Sequence, residues 1–228
     1  ADLATIPVVT DIDNDGYNEV VASSKTEIYV WHTEGESKYN HFDRFRYNKY
    51  NNAIYEIPCS YVETPIEIMG TQIWNDNRFV NRHVIINKGA HLTVKSELKF
   101  SEEAKIIVKP GGRLILDGCK LTSSCPDEMW QGIEVWGDKS AHQYAVNGQY
   151  SQGYVELRNG ATIENAECAL ALWRPGYWGT TGGIVHAEDA VFRNNHRAIH
   201  ALHYRNHSPV SGKETGYNAT FTRCQFTV

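Results

Sequence analysis

The feature that most constrains how this chain folds is a pattern repeated from residue 83 onward. The copies are HVIINKGAHLTVKSELKFSEEA (83–104), KIIVKPGGRLILDGCKLTSS (105–124), GIEVWG with YVELRNGATIENAECA (132–169), LALWR with GIVHAEDAVFRNNHRA (170–198) and IHALHY with YNATFTRCQF (199–226). Self-similarity at a period of about 20–50 residues is typical of solenoids, in which each copy buries its apolar face only by stacking on the next. The sequence therefore predicts an all-β fold, a parallel β-helix.

The alignment of the copies also predicts which residues stack. One apolar residue from each later copy falls in the same column: Leu121, Ile163, Phe192 and Phe226. The residue two positions before each of these is small: Cys119, Ala161, Ala190 and Cys224. Ile85 and Ile107 are 22 residues apart, which is enough for one coil of three short strands at ~3.3 Å per residue plus turns.

The later copies are longer because each carries an insertion after its first strand. These insertions, residues 136–153, 173–182 and 204–216, are called the loop crest here. Insertions at one corner of a solenoid project from one face, which is commonly the binding face. The candidate ligand-binding residues are Trp136, Trp173, Arg174, Tyr177, Trp178, Tyr204 and Arg205. Aromatic rings with arginines suit glycans or a protein partner. The alternative is that the rings only pack on one another and hold the loops down.

Composition and charge exclude some classes of function. The net charge is −5 and no run is rich in Lys or Arg, so the electrostatic footprint of a nucleic-acid binder is missing. No run approaches ~18 apolar residues, so no membrane span is expected. The chain opens without a signal-peptide pattern and stops within a strand of the last copy. We therefore expect a piece of a larger processed protein with further domains upstream and downstream.

An acidic motif near the start of the chain predicts a calcium site. The motif has the form D-x-D-x-D-G-x-x-E, with Gly16 at the sharp turn. The candidate ligands are Asp11, Asp13, Asp15, the backbone carbonyl near Tyr17, and Glu19. Alternating carboxylates with one carbonyl suit Ca²⁺, which takes six to eight oxygens. An EF-hand is disfavoured because Ala22 stands at the twelfth position and β-rich segments flank the loop. A solvated acidic turn is the other alternative.

Residues 7–32 resemble one blade of an FG-GAP or VCBS-type repeat, the calcium-loop unit of integrin-like β-propellers. The resemblance rests on PVVTDID, the acidic loop, EVVAS and EIYVWH, with Glu19 where the family usually has Asp. It implies that residues 1–35 are a partial blade whose propeller continues upstream. Residues 36–82 have no sustained period and are predicted to be an irregular connector that covers the first coil.

The repeated half, residues 83–228, resembles the right-handed β-helix domains of large bacterial surface proteins. The resemblance rests on IINKGAHLTV (85–94), IIVKPGGRLILDG (106–118) and MWQGIEVWG (129–137). Such domains often accompany FG-GAP repeats in secreted proteins, many of which leave the cell by the type IX route. The resemblance implies a secreted or cell-surface location. It does not imply one activity, because β-helices carry enzymes as well as adhesive stalks.

The alternative function is catalysis by an acid–base pair on the β-helix. Glu134, Ala171 and His200 share a column of the first strands, so Glu134 and His200 lie two coils, roughly 9.6 Å, apart. That separation is too long for a hydrogen-bonded acid–base pair. The other carboxylates are expected on a solvated outer face: Glu156, Glu164, Glu167, Glu188 and Asp189.

The histidines and cysteines give weaker signals. A zinc site would need convergence of three among His196, His200, His203 and His207, but His200 and His203 point to opposite faces of an extended strand. Asn194 and Asn195 are predicted to form a turn ladder. Among the five cysteines, Cys119 and Cys224 are expected in the core, and Cys125 could pair with Cys119 or Cys59.

Together these observations predict a structural or adhesive module of a secreted bacterial cell-surface protein. It would bind calcium at its N-terminal loop, and a glycan or protein partner at the loop crest. The alternative is a carbohydrate-active β-helix enzyme, either a polysaccharide lyase or a glycoside hydrolase.

Overall fold

The computed structural model describes residues 8–10, 17–23, 28–36, 59, 61–125 and 127–228. The chain divides into two compact units, Ala1–Glu56 and Ile57–Val228. The first unit contains an antiparallel sheet in the order β1 (Val8–Thr10), β2 (Tyr17–Ser23) and β3 (Ile28–Glu36). Residues 11–16 of the acidic motif lie between β1 and β2 in the sequence, outside the described residues, and these two strands pair antiparallel. Nothing further of the predicted propeller blade lies among the described residues.

The second unit is built from six coils of three short strands. Coils 1 to 3 contain β4 (Ile66–Ile68), β5 (Thr71–Trp74), β6 (Arg78–Val80), β7 (Val84–Ile86), β8 (His91–Val94), β9 (Glu97–Phe100), β10 (Lys105–Val108), β11 (Arg113–Asp117) and β12 (Lys120–Ser123). Coils 4 and 5 contain β13 (Trp130–Val135), β14 (Tyr154–Arg158), β15 (Thr162–Glu164), β16 (Ala166–Ala171), a 3-10 turn (Trp178–Thr180), β17 (Ile184–Glu188) and β18 (Val191–Arg193). Coil 6 contains β19 (Ile199–His200), the hairpin β20 (Asn206–His207) and β21 (Glu214–Thr215), β22 (Ala219–Thr222) and β23 (Gln225–Thr227).

The coils stack into three parallel sheets, each with six strands in the described part of the unit. Sheet 1 runs from β4 to β19, sheet 2 from β5 to β22 and sheet 3 from β6 to β23. This is the arrangement of a parallel β-helix, and it confirms the predicted solenoid. Ile107 pairs with Ile85 in sheet 1, as the spacing of 22 residues predicts. In sheet 3, Ile163 pairs with Leu121 on one side and Phe192 on the other.

The solenoid begins earlier than the sequence pattern indicates. Residues 66–80, expected within the connector, form a full coil whose three strands pair in parallel with those of coil 2. Each strand of this coil buries only its last residue: Ile68, Trp74 or Val80. One apolar residue per strand is too sparse to reveal a period in the sequence.

The core lies inside the coils and is filled by stacked side chains. Phe100 and Trp130 are both fully buried, and their rings stack with centroids 4.2 Å apart. The indole Nε1 of Trp130 donates a hydrogen bond to the backbone oxygen of Glu164 at 3.0 Å, so its one polar group is satisfied. Cys119 is buried, as predicted, and its thiol is free. Burial raises the pKa of this thiol to about 12.

Turns between sheets are fixed by an asparagine ladder and a disulfide. Asn194 donates to the side chain of Asn165 at 2.6 Å, and Asn165 donates to Thr122 at 3.0 Å. Asn165 and Asn194 have φ of 56° and 48°, a left-handed conformation that asparagine tolerates well. The ladder therefore includes Asn194 as predicted. Of the two predicted partners for Cys125, the structure selects Cys59, with a Cα–Cα distance of 5.6 Å.

Glu164 and Glu156, which the sequence predicts on a solvated outer face, form ion pairs with residues of neighbouring coils. The side chain of Glu164 is only 8% exposed and pairs with Lys120 at 2.8 Å and with Arg193. Glu156 pairs with Arg113 at 2.8 Å. Burial disfavours ionisation of Glu164, but the hydrogen bonds from Lys120 and Arg193 outweigh burial and lower the pKa of its carboxyl group. These ion pairs link successive coils.

Candidate binding site

The three loops of the crest lie side by side, each joining a strand of sheet 1 to a strand of sheet 2. Backbone hydrogen bonds tie the first loop to the second, from Gly137 to Thr180 at 2.7 Å and from Lys139 to Gly179 at 3.1 Å. The backbone N–H of Gln143 donates to the Asn206 side chain of the third loop at 2.9 Å. Because equivalent corners of stacked coils are neighbours, the predicted register of the loops is confirmed.

Two buried glutamines, which sequence reasoning missed, hold the loops in place. Gln152 is fully buried, and its amide donates to the backbone oxygens of Asp138 and Ala141 at 2.9 and 2.8 Å. Gln143 is 1% exposed and accepts from the backbone N–H of Asn218 at 2.8 Å. A side-chain amide can satisfy several loop backbone groups at once. A single glutamine has no spacing pattern, so the sequence carried no signal for this role.

Tyr204 supports the crest from inside. It is 9% exposed, and its hydroxyl donates to the backbone oxygen of Ala141. Its ring lies against Gly182, where an added Cβ would come within 2.9 Å of the ring, and burial raises the pKa of its phenol. Tyr204 packs edge-on against Tyr217, with ring centres 5.6 Å apart, and within the described residues it makes no ring contact with the tryptophans of the crest.

The remaining predicted residues, except Arg205, come together in one cluster. We call it the aromatic corner, and its members are Trp136, Trp173, Arg174, Tyr177, Trp178 and His200. The guanidinium carbon of Arg174 lies 4.7 Å from the ring centre of Trp136 and 3.7 Å from that of Tyr177. The rings of Trp173 and Trp178 are 5.5 Å apart. Arg205 is exposed and has no ion pair or ring contact within the described chain.

Exposure divides the aromatic corner into a support and a surface. Trp173 is 7% exposed, whereas Tyr177 is 54% and Trp178 is 73% exposed. Trp173 therefore packs inside the crest, whereas Trp178 faces solvent. A tryptophan exposed to this degree on a rigid support is a flat apolar surface available to a ligand.

A tight turn holds the exposed rings in place. The backbone N–H of Tyr177 donates to the oxygen of Arg174 at 2.9 Å, across Pro175 and Gly176. Gly176 has φ of 85°, which matches the third position of a type II turn with proline before it. The hydroxyl of Thr180 accepts from the backbone N–H of Arg174 at 2.9 Å. The Pro-Gly pair was the sequence signal for this turn.

Glu134 and His200 occupy the predicted column, through the pairs Glu134 with Ala171 and Ala171 with His200. The Glu134 carboxylate accepts from Lys105 and from the indole of Trp136, both at 2.7 Å. The Nδ1 atom of His200 faces the Trp173 indole at 3.4 Å and Arg197 at 3.2 Å. Both partners can only donate, so Nδ1 accepts and the imidazole is neutral with its proton on Nε2. Burial and Arg197 lower the pKa of His200.

The predicted calcium ligands lie only partly among the described residues. Asp11, Asp13 and Asp15 lie outside the described residues. Tyr17 is exposed at the start of β2, and Glu19 is 3% exposed and pairs across the sheet with Thr10. Within the described ranges, no group of three or more His, Cys, Asp or Glu side chains could hold a metal ion. In the same ranges no helix is long and apolar enough to cross a membrane.

Comparison of the chain with models of known protein families gave no match. Comparisons with curated proteins and with solved structures also gave none. The fold and the geometry of the aromatic corner are therefore the features that bear on function.

Proposed function

We propose that this chain is a structural, adhesive module that binds a glycan through the aromatic corner of its loop crest. The observation that carries the proposal is the indole of Trp178, which is 73% exposed and backed by the buried Trp173. A pyranose ring has one face made of C–H groups, and such a face stacks well on a flat aromatic ring. Arg174, which lies in the same loop and packs on Tyr177, supplies planar hydrogen-bond donors for the hydroxyl rim of a sugar.

The rigid construction of the crest supports binding rather than simple loop closure. A ligand that meets a preformed surface loses less free energy to ordering of the protein than one that meets a mobile loop. The Arg174–Tyr177 turn, the buried glutamines and Tyr204 fix the loops before any ligand arrives. Trp178 itself contributes little to this packing, because most of its surface contacts solvent.

A panel of immobilised glycans tests the proposal. The wild-type chain is expected to bind a subset of the panel, and Trp178→Ala is expected to reduce that binding about tenfold or more. The melting temperature should stay within about 2 °C, because an exposed side chain contributes little to stability. Tyr144→Ala is the matched control, since Tyr144 is an aromatic of the same crest that is 42% exposed and lies outside the corner.

The outcomes separate the proposal from its competitors. Equal loss in the Tyr144 and Trp178 variants would show that the binding surface is not confined to the corner and would contradict the assignment to it alone. Unchanged glycan binding by Trp178→Ala contradicts the proposal. A failure to bind any glycan, together with Trp178-dependent capture of a single protein, would replace the glycan by a protein partner.

We also propose that the protein is secreted and lies at the bacterial surface, and that its β-helix is right-handed. The pair Cys59–Cys125 supports it, because disulfides persist in oxidising compartments and are rare in the cytosol. Mass spectrometry of the protein from its native cells, digested without reduction, should recover the linked Cys59 and Cys125 peptides. Recovery of both thiols in reduced form would argue against this location.

The proposal also assigns calcium to the N-terminal unit, as in an FG-GAP-type repeat. The antiparallel pairing of β1 with β2 sets Glu19 opposite Thr10, the residue that precedes Asp11. Glu19 is thus close to the start of the acidic loop and buried, which suits a carboxylate that contributes to a cation site. When bound there, calcium would fix the ends of the loop.

A further inference from the structure

The arginines of this protein differ in how their charge is balanced. Most described arginines have a carboxylate partner: Arg78, Arg113, Arg158, Arg193 and Arg223. Arg174, Arg197 and Arg205 have none within the described chain, and Arg82 donates only to Asn81. Arg174 belongs to the aromatic corner and Arg197 contacts its His200 at 3.2 Å. Two uncompensated positive charges therefore border the corner of a protein whose net charge is −5.

The position of Arg174 preserves its capacity to bind an anion. Its guanidinium contacts the rings of Trp136 and Tyr177, which hold the group through its π faces and leave N–H donors at its edge. Such an edge matches the two oxygens of a carboxylate or sulfate. Rings attract the cation without neutralising it. The aromatic corner therefore contains both a charged fork, held on Trp136 and Tyr177, and the exposed indole of Trp178.

The neighbouring titratable groups do not cancel this charge. Glu134, whose carboxylate contacts the Trp136 indole, is paired with Lys105 at 2.7 Å. His200 is neutral by its hydrogen bonds and offers Nε2–H as a further donor. The corner thus presents donors and positive charge, and the Glu134 carboxylate at its edge is already compensated by Lys105.

We infer that the glycan bound at the aromatic corner is acidic, with a carboxylate or sulfate group that pairs with the edge of Arg174 while a neighbouring sugar ring stacks on Trp178. This inference rests on the proposed glycan-binding function. It adds the chemical class of the ligand, an anionic polysaccharide, and the residue that selects it.

Calorimetric titration with matched oligosaccharides tests the inference. The probes are an oligogalacturonate and its fully methyl-esterified form, and a sulfated oligosaccharide and its desulfated form. Each pair keeps the sugar backbone and the length. The charge is removed by capping the carboxylate as a methyl ester or by replacing the sulfate with a hydroxyl group. The wild type is expected to bind the acidic member of at least one pair about tenfold or more tighter, in line with a charged hydrogen bond. The pair that shows the preference tells a carboxylate from a sulfate.

Variants locate the selectivity. Arg174→Gln is expected to remove the preference, whereas Arg174→Lys keeps the charge, loses the planar fork and should retain only part of it. Arg205→Gln is the matched control, an exposed arginine of the crest outside the corner, and should bind like the wild type. Near-ultraviolet circular dichroism verifies that the tryptophans keep their environment, and Arg174→Lys carries the test if Arg174→Gln alters that spectrum.

The result tells two failures apart. Equal affinity for the acidic and neutral members of both pairs, with Trp178-dependent binding retained, overturns the inference and leaves the proposed function standing. Loss of the preference in Arg205→Gln overturns the assignment to Arg174. No binding of any oligosaccharide overturns the inference together with the proposed function.

Discussion

Replacement of Ile163 by alanine should destabilise the solenoid far more than replacement of Phe226, at the end of the same column, by alanine. Ile163 is fully buried and pairs with Leu121 and Phe192, one coil away on each side. Neighbours on both sides restrict collapse of the cavity, so the expected loss of unfolding free energy is about 3–4 kcal/mol. With a urea slope of about 3 kcal/mol per molar, the midpoint should fall by about 1 M.

Phe226→Ala provides the contrast. Phe226 lies in the same column but is 50% exposed. Its ring stacks on Phe192 at 4.9 Å and packs edge-on against Phe221 at 6.0 Å. Truncation there leaves an open surface rather than a cavity, at an expected cost of about 1 kcal/mol. Urea unfolding followed by circular dichroism measures both variants. Equal losses, or a loss below about 1 kcal/mol for Ile163→Ala, would refute the assignment of this column to the interior of stacked coils.

Three further predictions follow from the charges and from the first unit. The pKa of Glu164 is lowered in the folded chain from its ordinary 4.5, so its ion pairs stabilise the fold above that pH and lose their effect as the pH falls. Glu164→Gln should therefore cost about 1–2 kcal/mol at pH 7 and almost nothing at pH 2, as chemical unfolding at both pH values will show. Calcium removal by a chelator should increase hydrogen exchange in residues 7–32 and leave the solenoid unchanged, whereas equal exchange with and without the chelator would argue against the calcium site. A panel of polysaccharides should yield no unsaturated or reducing ends, and products that vanish in Glu134→Gln or His200→Ala would instead support the enzyme.

The solenoid was readable from the sequence because its signal is repeated. The column through Leu121 and Ile163 recurs in each later copy, and a one-residue error in strand register would turn every apolar side chain outward. The first coil was not readable, because three-residue strands such as Ile66–Ile68 bury one residue each. A period needs several apolar positions before it can be recognised.

The sequence predicted the position of the candidate site but not which of its rings are exposed. Insertion after the first strand predicted that the loops would be neighbours, and Pro175–Gly176 is a residue pair that favours a turn. The sequence could not show that Trp173 would be buried while Trp178 is exposed, since that depends on loop packing set by isolated polar residues such as Gln152. Side chains that act once, without a repeat, leave no pattern in a single sequence.

A crystal structure of the protein with a bound acidic oligosaccharide is the most direct test of glycan binding at the aromatic corner. The account predicts a sugar ring parallel to the indole of Trp178 at about 4 Å. Its acidic group should lie about 3 Å from the guanidinium edge of Arg174. A sugar bound on the outer face of sheet 2, with Trp178 uncovered, would contradict the account.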